Sequence, residues 1–216
     1  MVSDQLLKEC IKNLAEGSGP IAIDTERASG YKYSSRAYLI QVKRKNKPIY
    51  LIDPISISDK SLWQRFNDTF ANTEWIIHAS TQDLPCLKEL GLYPNILFDT
   101  ELGARLCGFP KVALGTLVEE LMGFELAKEH SAVDWSIRPL KDEWLNYAAL
   151  DVDLLIELRD LISNELTAQE KLQFAQAEFA QILQDFKVTK TSRKDPWRRT
   201  SGMHKVKDRQ IGRAHV

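Results

Sequence analysis

The sequence lacks the features of membrane and secreted proteins. None of its apolar runs approaches the roughly 20 residues that cross a bilayer, and the first residues carry no basic segment followed by an apolar core. Only three cysteines are present, Cys10, Cys86 and Cys107, and no pair has the C-x-x-C spacing of a zinc site. Their odd number and wide spacing also argue against a disulfide framework. These absences favour a cytoplasmic protein that makes no contact with membranes.

Charge is balanced over the whole chain but not along it. Residues 187–209 carry nine Lys and Arg against two Asp, whereas residues 1–186 carry 19 basic and 28 acidic residues. An acidic body is unusual for a protein that binds nucleic acid, because contacts with phosphates usually supply much of the affinity. The net charge of a chain does not describe the charge inside a local groove, however, and bound cations would neutralise some of the acids. The charge therefore leaves nucleic acid open as a partner.

Two carboxylates stand two residues apart at the end of the apolar run Ile-Ala-Ile-Asp-Thr-Glu, residues 21–26. Residues i and i+2 of a strand point to the same face, so Asp24 and Glu26 would lie side by side. Like charges at that distance raise one another's pKa unless a cation neutralises them. Oxygen ligands suit Mg²⁺ or Mn²⁺. For this segment alone, a strand end that runs out into solvent remains an alternative.

Two further segments carry matching chemistry. Asp83 follows the apolar residues 75–77, and Tyr147 lies four residues before Asp151. Residues i and i+4 share one face of a helix, so the phenol and the carboxylate would point the same way. Each has an ordinary alternative when taken alone: a half-buried helix tyrosine, a surface acid, or an acid favoured by a helix dipole. The joint pattern favours a metal-dependent active site.

The order Asp24-x-Glu26, Asp83, Tyr147-x-x-x-Asp151 resembles the three motifs of the DEDDy 3′–5′ exonucleases, and within that group the ribonuclease D family. The resemblance runs from about residue 20 to residue 161. It implies an α/β fold of the ribonuclease H-like type, with three layers and a mixed sheet covered by helices on both faces. Five other segments also fit the family: 39–41 (Leu-Ile-Gln), 51–54 (Leu-Ile-Asp-Pro), 78–79 (His-Ala), 98–100 (Phe-Asp-Thr) and 134–140 (Asp-Trp-Ser-Ile-Arg-Pro-Leu).

This resemblance implies a metal-dependent 3′–5′ exoribonuclease that releases mononucleotides from single-stranded RNA ends, as in RNA processing. The expected cofactors are two divalent ions, Mg²⁺ or Mn²⁺. Asp24 would contact both ions, Glu26 and Asp151 would complete one site, and Asp83 would reach the other partly through water. Tyr147 would orient the attacking water. A DNA exonuclease of the proofreading type is the alternative enzyme, and a catalytically silent nucleic-acid-binding module is the alternative outside enzymes.

The residues that would contact the substrate are less sharply defined. Aromatic and basic side chains alternate between the first two predicted strands, where they could stack on bases and hold phosphates. A solvated connection is an equal alternative, and Trp135 could equally anchor the core. His78 could instead be a buried histidine at a strand end, and Gln41 could be an inward polar residue of a half-buried strand. The candidates are Thr25, Arg27, Tyr31, Tyr33, Arg36, Gln41, His78, Trp135 and Arg138.

Hydrophobic periodicity predicts strands alternating with helices. The first three strands would form an antiparallel meander at about 20–26, 37–43 and 49–52, followed by a central strand at 75–78. Helices are predicted at 4–15, 60–70, from 81 or 82 onward, 99–107, 115–121, 141–164 as a single helix, and 167–186.

Three regions are predicted from the resemblance and the charge. Residues 1–186 would form the exonuclease domain, and residues 187–210 a basic linker toward a helical accessory domain of the HRDC type that is missing here. Residues 211–216 (Ile-Gly-Arg-Ala-His-Val) match the translation of a sequencing-adapter end. We therefore expect them to be a non-native tail, and we expect the protein to be a monomer.

Overall fold

The computed structural model describes residues 4–28, 30–32, 36–126 and 133–187. Five strands in them form one mixed sheet: β1 (Ile21–Arg27), β2 (Ala37–Arg44), β3 (Tyr50–Ile52), β4 (Glu74–Ile77) and β5 (Ile96–Asp99). Their order across the sheet is β3-β2-β1-β4-β5. The predicted antiparallel meander is confirmed, because β1 pairs with β2 and β2 with β3 in antiparallel fashion, while β4 runs parallel to β1 and β5 parallel to β4.

Eight helices lie within the described residues. Most follow the predicted positions, since an apolar residue recurs every three or four positions and gives each helix one buried face. They are α1 (Asp4–Ala15), α2 (Ser61–Thr69), α3 (Leu84–Glu89), α4 (Thr100–Cys107), α5 (Leu114–Met122), α6 (Asp142–Asp153), α7 (Leu155–Ala168) and α8 (Leu172–Lys187).

Helices cover both faces of the sheet, as the resemblance implies. On one face, Phe66 of α2 packs edge-on against Trp75 of β4, with 5.6 Å between the ring centroids. On the other face, Trp144 and Ala148 of α6 form a buried cluster with Leu39 of β2. The alternation of side chains along each strand therefore separates two layers of helices. The α/β three-layer fold with a mixed sheet is confirmed.

The single helix predicted over residues 141–164 is wrong, because the structure has two helices with Leu154 between them. The carbonyl of Asp153 would accept the N–H of residue 157 in a continuous helix. Instead, Nζ of Lys43 donates to that carbonyl at 2.9 Å and also pairs with the Asp153 side chain. A lysine on β2 thus ends α6, and α7 continues toward β4 and α4.

Two other elements differ from the prediction. Residues 96–99 form the edge strand β5, which the sequence pattern did not indicate. The last helix begins at Leu172 rather than at residue 167, because α7 runs to Ala168 and a turn follows it. In that turn Glu170 has a φ of 56° and the N–H of Lys171 donates to the carbonyl of Leu166. A left-handed residue with this bond is a common way to end a helix.

The predicted segments 187–210 and 211–216 lie outside the described residues, apart from Lys187, the last residue of α8. Their assignment as a linker and a non-native tail stays a prediction. In the part of the chain that the structure describes, every helix is too short or too polar to cross a bilayer.

Gly103 should be required where α4 meets α7. A Cβ atom at this position would lie 2.9 Å from Cγ2 of Ile162, which is fully buried and stiff at χ1. We expect Gly103→Ala to destabilise the fold by about 1–3 kcal/mol through overpacking, less the gain in helix propensity. Chemical denaturation measures the change in unfolding free energy.

Gly115→Ala is the matched control for this prediction. Gly115 lies near the start of α5, and a Cβ atom there would meet only Cβ of Leu126 at 3.9 Å, which is an ordinary contact. This variant should be as stable as the parent or slightly more stable. Equal effects of the two substitutions would show that close packing is not what selects glycine at Gly103.

Candidate active site

Strand β1 presents two carboxylates to the face of the sheet that α6 covers. Asp24 and Glu26 are both half-buried, whereas Thr25 between them is only 5% exposed and points to the opposite face. In the antiparallel ladder, Asp24 pairs with Gln41 and Glu26 with Leu39 of β2. Nε2 of Gln41 donates to Oε1 of Glu26 at 3.4 Å, so a neutral amide lies beside the acids.

Helix α6 adds the third carboxylate. Its buried side chains Trp144 and Ala148 pack on the sheet, and this packing directs Asp151 toward Asp24 and Glu26. One oxygen from each of these three carboxylates lies within 4.8 Å of the others. Asp24 and Glu26 share one face of β1, and the face of α6 that carries Asp151 lies over it. The fold therefore brings together three acids that are up to 127 positions apart in the sequence, from 24 to 151.

All three carboxylates have raised pKa values. Burial is the largest cause at each, and repulsion from the neighbouring acids adds to it at Asp24 and Glu26. The pKa of Glu26 rises to about 8 and that of Asp151 to about 7, and the pKa of Asp24 lies well above its usual range. A set of close carboxylate oxygens that holds protons near neutral pH fits Mg²⁺ or Mn²⁺, since a divalent ion would replace those protons.

Asp83 lies just before α3 and outside this group of three. It is 3% exposed, and burial raises its pKa to about 6. Oγ1 of Thr25 donates to Oδ1 of Asp83 at 2.5 Å, and Sγ of Cys86 donates to the Asp83 carbonyl at 2.9 Å. Among the described residues, the carboxylates close enough to share one ion are the other three. Asp83 is therefore held by Thr25, on the face of β1 opposite to the face that carries Asp24 and Glu26.

The segment that carries Asp83 is fixed by two further contacts. The carboxylate of Asp99 accepts the N–H of Ser80 at 2.8 Å and its hydroxyl at 2.6 Å. The guanidinium of Arg27 donates to the carbonyl of Gln82 at 2.8 Å and to its side-chain oxygen at 3.2 Å. These bonds hold a turn in which Ala79 has a left-handed φ of 54°, which costs energy for a residue with a Cβ atom.

Tyr147, Asp24 and Asp151 line a cleft of about 530 Å³, together with residues 113–116 at the start of α5. Burial and the nearby acids raise the pKa of the Tyr147 hydroxyl, so the phenol stays protonated at neutral pH. The residues around the cleft are Asp24, His78, Gln82, Ala113, Leu114, Gly115, Thr116, Leu126, Tyr147 and Asp151.

Of the predicted substrate-binding residues, His78 lines this cleft. Its Nδ1 lies 2.9 Å from Oγ1 of Thr100, and burial lowers its pKa. Arg27 lies next to the site with its guanidinium committed to Gln82. Tyr31 is exposed, and Arg36 lines a different groove with Lys60 and Lys88. Tyr33 lies outside the described residues.

Four other predicted substrate-binding residues have side chains that are buried or paired with another residue. Thr25 and Gln41 are buried and point at acids instead of into the cleft. Trp135 is 1% exposed and packs against Trp144 with 5.7 Å between ring centroids, so it is a core anchor. Arg138 forms a two-pronged ion pair with Asp53, at 2.7 and 2.9 Å.

Sequence reasoning missed Asp99 and the start of α5. Asp99 caps α4 by accepting the N–H of Leu102 at 3.0 Å, and the same carboxylate holds Ser80. An acid directly before a helix is a recognisable cap signal. Its second bond, to a turn 19 residues away, has no local signal. The approach of residues 113–116 to the acids is likewise a tertiary contact.

Known proteins are similar to this chain in sequence and in fold. A ribonuclease D of Jannaschia sp. (strain CCS1) is 33% identical over 187 residues, which is 83% of this chain and 47% of that relative. The crystal structure of a protein from Bifidobacterium adolescentis superposes with a TM-score of 0.84 at 42% identity, covering 92% of this chain and 48% of that one.

The crystal structure of Escherichia coli RNase D, described as an exoribonuclease involved in structured RNA processing, superposes with a TM-score of 0.79 at 27% identity. The match covers 98% of this chain and 56% of that one. The chain thus spans about half the length of these three relatives. The family model described as 3′–5′ exonuclease matches residues 1–167. The chain therefore belongs to the 3′–5′ exonuclease family, and the resemblance to ribonuclease D is confirmed.

Proposed function

We propose that this chain is the catalytic domain of a metal-dependent exoribonuclease that removes mononucleotides from the 3′ end of single-stranded RNA. The observation that carries the proposal is the group formed by Asp24, Glu26 and Asp151, whose oxygens lie within 4.8 Å of one another beside Tyr147. Two features favour RNA over DNA as the substrate: the ribonuclease D relative and the RNase D structure. A silent binding module is disfavoured, since clustered acids repel a phosphate backbone unless cations are bound.

The residues suit two divalent ions, Mg²⁺ or Mn²⁺. When bound, such ions would neutralise charge on the scissile phosphate and lower the pKa of the attacking water. Asp24, Glu26 and Asp151 would hold one ion, and Asp24 with Asp83 the other, with Asp83 acting partly through water. The cleft in front of these acids would take the terminal nucleotide.

Tyr147 would orient the attacking water. Its hydroxyl keeps its proton at neutral pH, because burial and three nearby carboxylates disfavour the phenolate. A protonated phenol donates one hydrogen bond and accepts others, which fixes the direction of the water without removing its proton. Tyr147 is therefore assigned a positioning role next to the phosphate rather than the role of a general base.

The state of the cysteines bears on where the protein is located. Cys10, Cys86 and Cys107 are free thiols in the described residues, and burial raises the pKa of each. Buried thiols that are hard to ionise behave as small apolar side chains and persist unpaired in a reducing compartment. This supports a cytoplasmic protein. We also propose that the protein acts as a monomer.

Turnover should depend on Asp24. With Mn²⁺ or Mg²⁺, the protein should shorten a 5′-labelled RNA strand from its 3′ end, and faster than a DNA strand of the same sequence. Asp24→Asn should lower that rate by at least about 10²-fold, the scale for losing one key electrostatic contact to a transition state. Gel analysis of the shortened strands measures both.

The matched control is Asp142→Asn, an exposed acid in the first turn of α6. It should shorten RNA at the parent rate. Full activity in Asp24→Asn would refute the metal site. Faster shortening of DNA would point to the proofreading-type alternative, and tight RNA binding without any shortening would point to the silent module.

Tyr147→Phe tests the role of the hydroxyl separately from the packing role of the ring. The ring keeps its packing, but the water loses its orienting partner, so we expect the rate to fall by about 10²-fold or more with an unchanged KM. Single-turnover kinetics measure the rate. Tyr93→Phe is the control, because Tyr93 is half-exposed and its ring contacts Phe186. Parent-like turnover in Tyr147→Phe would leave that residue a packing role only.

The metal-free protein should lose stability as pH rises from about 5 to about 8. Glu26, Asp151 and Asp83 have raised pKa values of about 8, 7 and 6 in the folded protein, against ordinary values near 4 when unfolded. The folded state therefore binds more protons in this range, so stability is greatest at low pH and falls through these pKa values. Thermal melts at fixed ionic strength measure the slope.

Two comparisons test the cause of that slope. Asp24→Asn removes one of the repelling charges, so its metal-free melting temperature should exceed that of the parent at pH 8. Saturating Mg²⁺ should flatten the slope in the parent, because the ion stabilises the ionised acids. A pH-independent melting temperature in the metal-free parent would contradict the repulsion.

A further inference from the structure

Thr25 lies between two proposed metal ligands but faces away from them. Its side chain lies on the opposite face of the sheet and points toward α3. There Oγ1 donates to Oδ1 of Asp83 at 2.5 Å and lies 3.1 Å from Sγ of Cys86. With 5% exposure, the side chain cannot reach substrate. The loss of its hydroxyl would therefore act on the reaction only through Asp83.

Asp83 depends on this bond for its orientation. It lies outside the group of three acids, and within the described residues no lysine or arginine forms an ion pair with it. A carboxylate at the start of a helix can rotate about χ1 and χ2. Thr25 is β-branched and lies in the middle of the ladder between β1 and β2, so its hydroxyl is a fixed point.

We propose that Thr25 is a positioning residue that orients the Asp83 carboxylate for the second metal ion. The inference rests on the proposed two-ion site. One oxygen of Asp83 accepts the threonine hydroxyl, which leaves the other oxygen for an ion or for water bound to it. The two sites are then unequal: three acids from β1 and α6 form the first, and the second requires the bond from Thr25 to Asp83.

A Mn²⁺ titration of the metal-free protein tests this role without an activity assay. Calorimetry and the electron paramagnetic resonance signal of free Mn²⁺ give the number of bound ions and the affinity of each. Thr25→Val keeps the shape of the side chain and deletes the hydroxyl. We expect its first ion to bind as in the parent and its second ion to bind about 10- to 100-fold more weakly, the range for a hydrogen bond to a charged group.

Two variants sharpen the comparison. Thr25→Ser retains the hydroxyl and should restore most of the affinity for the second ion. Thr167→Val makes the same chemical change in α7, away from the proposed metal ligands. The hydroxyl of Thr167 donates to the Ser163 carbonyl at 2.7 Å. This variant should bind both ions as the parent does. If Thr25→Val folds poorly, Thr25→Ala deletes the hydroxyl with less bulk and serves the same purpose.

The results separate this inference from the proposed function. Parent-like binding of both ions by Thr25→Val or Thr25→Ala would overturn the role of Thr25, and so would equal weakening of both ions. A parent protein that binds one ion at every Mn²⁺ concentration would overturn it too. A parent that binds two ions, with the second sensitive to Thr25, but releases no nucleotides would uphold this inference and refute the exonuclease proposal.

Discussion

Repulsion among half-buried carboxylates is the constraint on which the rest of this structure depends. Asp24, Glu26 and Asp151 approach within 4.8 Å, and their raised pKa values show that the fold holds them against both desolvation and like charge. Each acid comes from an element that is anchored elsewhere. The core beneath β1 and the packing of Trp144 and Ala148 on Leu39 stabilise the placement, because the acids themselves oppose it.

The protein's own cations leave most of this repulsion in place, although the charge of Arg27 lowers the pKa of Glu26. Within the described residues, no lysine or arginine forms an ion pair with these three acids: Lys43 pairs with Asp153, and Arg27 donates to Gln82. The hydrogen bonds to Glu26 and Asp83 come instead from a neutral amide, Gln41, and a neutral hydroxyl, that of Thr25. Neutral donors orient a carboxylate without cancelling its charge.

The local half of this arrangement could be predicted from the sequence. The strand spacing of Asp24 and Glu26 and the helix spacing of Tyr147 and Asp151 follow from backbone periodicity, which the chain cannot change. The meander and most helices follow for the same reason. What failed depends on partners distant in sequence: Lys43 ends α6 from β2, and residues 96–99 are a strand because β4 lies beside them.

The same division explains the roles of the residues around Asp83. Residues 78–83 are mostly polar in sequence. Asp99, Arg27 and Thr25 each fix a different point of this segment through contacts spanning 19 to 58 residues. A loop held at three points keeps one arrangement, so Ala79 can adopt a left-handed φ that it would otherwise avoid. These contacts therefore fix the position of Asp83 relative to β1, although Asp83 itself lies in no strand.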